Sequence, residues 1–251
     1  MNRVDKRNGF TLIELMLAMA FVAALLIAVA MTVIQIASIY NRGITLKEVN
    51  QAGLSLSSEL QRSINQTSLF SIEPDHAVDP NSRYVKQDWG GRLCLGQYSY
   101  IWNYGAAIDP IALNPNRNKY SGSSNEIRFV KVPDSNASYC KKALVGPEYK
   151  DVVFADAVEL LNVGEHNLAI QNFVISTTST AVDTKTGQQL YSMEFLIGTN
   201  DRGKLSDHSD STLTGSTGAT TCKLPSEFGA DPSYCSVNQF NILARAGNAV
   251  K

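Results

Sequence analysis

The chain has 251 residues, with 22 Lys and Arg against 23 Asp and Glu, three His and a formal net charge of −1. So weak a field argues against a strong nucleic-acid binder, whose phosphate contacts need a concentrated positive surface. The largest basic cluster, Lys141-Lys142, fits a solvated turn. In chain order, the first feature is a short charged leader, residues 1–9, with Arg3, Lys6 and Arg7 against Asp5. Residues 15–34 then carry no charge, and Thr32 is their only polar side chain. A helix over them reaches about 30 Å, enough to cross a bilayer core. The basic leader predicts that this end stays in the cytoplasm and that the bulk of the chain is exported. Glu14 sits at the edge of the run, where a lone carboxylate is costly and therefore points to function.

Beyond the run the helix is predicted to continue to about Gln66, because residues 35–66 hold no proline and repeat apolar positions at helical spacing. Ile39, Val49, Leu56, Leu60 and Ile64 are placed against a sheet; Arg42, Lys47, Glu48, Glu59 and Arg62 are placed in water. Gly43 and Gly53 read as weak points rather than stops. Residues 71–87 read as a loop, on Pro74, Asp75, Asp79, Pro80, Asn81 and Ser82. Residues 93–104 read as one strong strand, with Tyr98, Tyr100, Trp102 and Tyr104 on one face. That face is either a platform for a stacked sugar or base, or the inner face of a sheet packed on the long helix; strand propensity favours the second.

Residues 108–125 read as a loop, 126–132 as a short strand, and 133–149 as turns around Cys140. Residues 152–161 are ambiguous between strand and helix. Residues 168–177 and 190–199 read as an antiparallel pair, with Tyr191, Met193, Phe195 and Ile197 on one face of the second. Residues 200–221 are polar, but their Asp spacing does not match a calcium loop. Residues 237–246 are a last strand, with Phe240 and Ile242 on one face. The four cysteines, Cys94, Cys140, Cys222 and Cys235, form no Cys-x-x-Cys. An even count in an exported domain predicts two disulfides. Of three pairings, Cys222–Cys235 with Cys94–Cys140 costs the least loop-closure entropy.

Gly9-Phe10-Thr11-Leu12-Ile13-Glu14 resembles, residue for residue, the prepilin (class III) signal of type IV pilins and type II secretion pseudopilins. The resemblance covers these residues and the apolar helix behind them. It implies cleavage after Gly9 by a membrane peptidase, and N-methylation of Phe10 by the same prepilin peptidase and N-methyltransferase. It implies that Glu14 pairs with the Phe10 ammonium of a neighbouring subunit as helices stack into a filament. The other implied partners are further pilin subunits and an inner-membrane assembly platform. A bridged loop near the C-terminus, here residues 222–235, is also common in pilins. Where major pilins often break the membrane half of this helix, residues 18–30 hold neither Pro nor Gly, which implies a straighter one.

An ordinary cleavable signal peptide and a plain single-pass anchor compete with this reading. The run is longer than a usual signal core and no small-x-small site follows it. A plain anchor leaves Gly9 and Glu14 unexplained. The expected fold class is α+β and pilin-like: a long membrane-spanning helix on an antiparallel sheet with large loops. The expected segments are a cleaved leader (1–9), a transmembrane half-helix (10–37), an exported amphipathic half (38–66) and a β-rich domain (67–251). No catalytic constellation, phosphate loop, metal cluster or cofactor motif is present, so a non-enzymatic filament subunit is expected, most like a larger minor pilin. The alternatives are a pseudopilin of a secretion or competence system, or an adhesive, ligand-binding tip subunit.

Overall fold

The computed structural model describes residues 11–73, 79, 81–109, 113–142, 149–161, 164, 166–178, 187–201, 203–206 and 221–247. One helix, α1 (Leu12–Asn65, 54 residues), runs about 80 Å. No proline interrupts it. At its end the backbone N–H of the cap residue Gln66 donates to Arg62 O and the Thr67 hydroxyl donates to Ser63 O (2.7 Å). Residues 12–40 are exposed all round. From there on a single stripe is buried: Thr45, Val49, Gly53, Leu56, Ser57, Leu60 and Ile64. Steps of three and four keep these residues on one face.

Among the described residues twelve strands follow. They are β1 (Tyr84–Gln87), β2 (Gly90–Cys94), β3 (Tyr98–Asn103), β4 (Tyr120–Ser121), β5 (Phe129–Pro133), β6 (Val152–Val153), β7 (Val158–Glu159), β8 (Leu168–Thr177), β9 (Gln189–Thr199), β10 (Leu205–Ser206), β11 (Thr221–Cys222) and β12 (Val237–Ala246). Among the described residues they form a five-stranded antiparallel sheet, β1-β2-β3-β5-β7, and a three-stranded antiparallel sheet, β12-β9-β8. β10-β11 and the parallel pair β4-β6 stand apart. A bridge from Tyr104 to Ile170 and a bond from Arg128 Nη1 to Leu168 O (2.7 Å) join the two large sheets. The architecture is therefore α+β, one long apolar N-terminal helix packed on antiparallel sheets.

Two cores result. The larger joins the α1 stripe to the inner faces of both sheets through Tyr100, Trp102, Phe129, Phe173, Tyr191 and Phe195. The smaller lies on the other face of the first sheet, where Ile101, Val130 and Val132 meet Tyr139, Tyr149 and Val152 of the covering loops. Alternation along β3 explains the division: Tyr100 and Trp102 point one way and Ile101 the other.

Several sequence expectations change. Residues 93–104 are not one strand but a hairpin, because Gly96 turns the chain at φ +90° and Leu95 N–H bonds Tyr98 O (2.9 Å). β1 occupies the end of the expected loop 71–87. Residues 152–161 resolve into β6, a 3₁₀ turn (Phe154–Asp156) and β7. Ile39 is 73% exposed instead of facing a sheet, since the stripe begins only at Thr45. Gly53 is no weak point. A Cβ there would lie 2.0 Å from the Phe240 ring, so the missing side chain is what lets β12 approach the helix.

Gly53→Leu is expected to destabilise the domain by about 1–3 kcal/mol through overpacking. The denaturation midpoint of the full chain in detergent, followed by tryptophan emission, measures this; an unchanged midpoint would refute the close-approach argument.

Candidate assembly helix and its attachment to the sheets

Thr11 and Glu14 open the helix with a reciprocal capping box. The Glu14 N–H donates to Thr11 Oγ1 (3.4 Å), while Glu14 Oε2 accepts the Thr11 N–H (3.0 Å) and hydroxyl (2.8 Å). Both of these bonds to the carboxylate fall on Oε2, and the residue is exposed. Gly9 and Phe10 lie outside the described residues. The helix behind them, Leu12 onward, is long and apolar enough to cross a membrane. A helix apolar on every side has no stable place in water; it needs lipid or other apolar helices around it.

The second half is fastened by polar contacts as well as by the stripe. Glu59 Oε1 accepts from Lys131 Nζ on β5 (2.6 Å) and from the Tyr100 hydroxyl on β3 (2.8 Å). Burial pushes the Glu59 carboxyl up, but the Lys131 ammonium and the Tyr100 and Ser63 hydroxyls more than offset this and hold it below its ordinary value. Glu48 Oε2 meets His166 Nδ1 at 2.6 Å. Gln61 Nε2 donates to Leu243 O (2.9 Å) and Asn238 Nδ2 to Asn50 Oδ1 (2.6 Å), tying β12 alongside the helix. Glu48 and Glu59, expected to face water, instead hold the sheets; their partners His166 and Lys131 lie 118 and 72 residues away, beyond any local pattern.

Cys94 is bonded to Cys140 and Cys222 to Cys235. The first bridge lies in the smaller core. Asp134 places it, accepting from the N–H groups of Ser138 and Tyr139 and from the hydroxyls of Ser99 and Ser138. These four bonds offset burial and hold the Asp134 carboxyl below its usual range. With sequence separations of 46 and 13, the bridges restrict the unfolded chain by about 4 and about 3 kcal/mol on the loop-entropy account.

The expected ligand platform is not accessible. Tyr100, Trp102 and Tyr104 are fully buried in the larger core, so no sugar or base can stack on them. Tyr98, 36% exposed, has Lys131 Nζ 3.8 Å above its ring. On the outer face, Arg92 is buried and holds the loops together through Asn118 Oδ1, Tyr139 O and Lys150 O. Burial lowers its pKa to about 10, which leaves it charged at neutral pH. A shallow cleft of about 490 Å³ opens beside it, between Trp89, Arg117, Lys119 and Tyr149. Among the described residues, no group of three or more His, Cys, Asp and Glu is placed to hold a metal.

No family model matches the sequence, and no curated protein or solved structure matches it either.

Glu59 makes a pH-dependent contribution. Its folded pKa is depressed, so the stability it supplies is present at neutral pH and is lost as the pH falls through that lowered value. Glu59→Gln is therefore expected to lose on the order of 1 kcal/mol at pH 7 and to approach the unsubstituted protein in acid. Denaturation of both proteins across that range checks this; an equal difference at every pH would rule out the ion pair as its source.

Proposed function

We propose that this protein is a non-enzymatic subunit of a type IV pilus or a closely related filament, and a minor subunit in view of its large, loop-rich, disulfide-bridged domain. One observation carries the reading. The stretch from Gly9 to Glu14, which matches the prepilin signal, leads into a helix exposed on every side over residues 12–40, whose buried stripe against the folded domain begins only at Thr45. The helix is thus left free to be covered twice, first by lipid and then by the helices of other subunits.

In this reading the leader is removed after Gly9 and Phe10 becomes the methylated N-terminus. Cleavage leaves an ammonium on Phe10, four residues ahead of Glu14. An ammonium and a carboxylate are each expensive in hydrocarbon, and pairing them across subunits offsets much of that cost. Because an unpaired member is penalised, the pair specifies the stagger between subunits more than it adds net stability. Glu14 is suited to this, since it stands exposed at the start of the helix. The two disulfides fit a domain that folds in an oxidising space outside the cytoplasm.

Glu14→Ala is expected to abolish incorporation into sheared filaments while the exported domain stays folded and protease-resistant. Immunoblotting of filament and membrane fractions, with limited proteolysis beside it, separates the two effects. Wild-type levels of the variant in filaments would sink the proposal. The mass of the native N-terminus tests the processing step directly, with methylated Phe10 as the expected first residue.

A further inference from the structure

The register between α1 and β12 fixes which end of the domain lies at the apolar run. Asn238 bonds Asn50, Phe240 lies over Gly53, Leu243 O accepts from Gln61, and the Arg245 N–H bonds Asn65 Oδ1. Helix and strand therefore run in the same direction. From residue 50 to 65 the helix climbs about 22 Å. From residue 238 to 245 the strand climbs about 23 Å. The two stay in step, so the loop ahead of β12 must lie toward the apolar run.

Direct contacts agree. Ser233 Oγ pairs with Ser38 Oγ (2.7 Å), Asn41 Nδ2 donates to the Tyr234 hydroxyl (2.7 Å), and the Thr45 hydroxyl donates to Ser233 O (3.0 Å). Ser38 is four residues beyond Ile34, the last residue of the apolar run, or about 6 Å along the axis. The Cys222–Cys235 bridge closes this loop. Inside it, Glu227 N–H bonds Leu224 O and Leu224 N–H bonds Glu227 Oε2, forming a tight turn. Lys223 Nζ then donates to Phe228 O (3.2 Å) and Gly229 turns the chain at φ +80°. These constraints hold Phe228 99% exposed and Leu224 64% exposed. Single exposed apolar residues are ordinary. Two on a bridged turn, in a loop whose Ser233 and Tyr234 meet the helix just past its apolar run, where Ile36, Ile39 and Tyr40 are also exposed, are in the position of interfacial anchors.

We propose that the loop 222–235 is a second membrane contact, with Phe228 and Leu224 seated in the outer interface of the same bilayer that α1 crosses. The loop holds the domain upright at the membrane before assembly, and extraction into a filament must release it. This rests on the membrane-spanning reading of α1 and is independent of the filament's identity.

The test uses the full chain in vesicles of phosphatidylethanolamine and phosphatidylglycerol, with and without lipids brominated near the headgroup end of the acyl chains. Phe228→Trp adds a reporter at a fully exposed position, and Phe21→Trp reports on the helix. The expected result is a blue-shifted added emission from Trp substituted at 228 that is lost in brominated vesicles. Quenching at 21 without quenching at 228 would overturn the proposal and leave the spanning helix standing. Quenching at neither would remove both. A blue shift at 228 that depends on protein concentration and ignores bromine would assign the loop to a contact between subunits instead.

Discussion

The Phe240 ring fills the space that a side chain at Gly53 would occupy, and this contact sets how near β12 can lie to the helix. On that distance depends the burial of Val49, Leu56, Leu60 and Ile64, and through them the common core of both sheets. Aromatic stacking continues the contact inward, from Phe240 to Phe195, to Phe173 and to Trp102. A chain of rings thus links the helix surface to the centre of the first sheet. Among the described residues this stripe is the apolar attachment of the domain to α1, and the polar contacts of Glu48, Glu59 and Gln61 reinforce it.

The same helix answers to two surroundings. Residues 15–34 are apolar but for Thr32, and residues 12–40 are exposed; from Thr45 on, one face is buried. An apolar cylinder has no preferred rotation, and so cannot by itself fix how neighbouring helices align. The carboxylate at its start, Glu14, closes the first turn of its own helix through a capping box with Thr11.

Much of this was legible in the residues. The helix followed from length, periodicity and the absence of proline, and the β8–β9 pairing from alternation, because both signals are local. The aromatic face of residues 98–104 was also visible, and its burial agrees with the packing alternative; what stayed hidden was the hairpin, since Gly96 sits inside an otherwise strand-like sequence and only its backbone angle reveals the turn. Glu48 and Glu59 were misplaced for a different reason. On a helical wheel they lie on the polar side, and only the distant His166 and Lys131 convert them from solvated charges to fasteners. Local periodicity also put the start of the buried stripe too early, at Ile39, because it cannot distinguish a residue that faces lipid from one that faces protein.

The strand that lies alongside α1 is the last of the twelve. Asn65 and Arg245, which meet in the folded state, are 180 residues apart in the chain. At a synthesis rate of about 5–20 residues per second, roughly 10–40 seconds separate their appearance. During that interval the helix stripe has no cover from β12, and the contact order of the domain is high. The closing strand therefore comes last: β8 and β9 can pair before it, and only β12 completes their sheet and covers the helix stripe. An interval of this kind is when a holdase would be of most use to the chain.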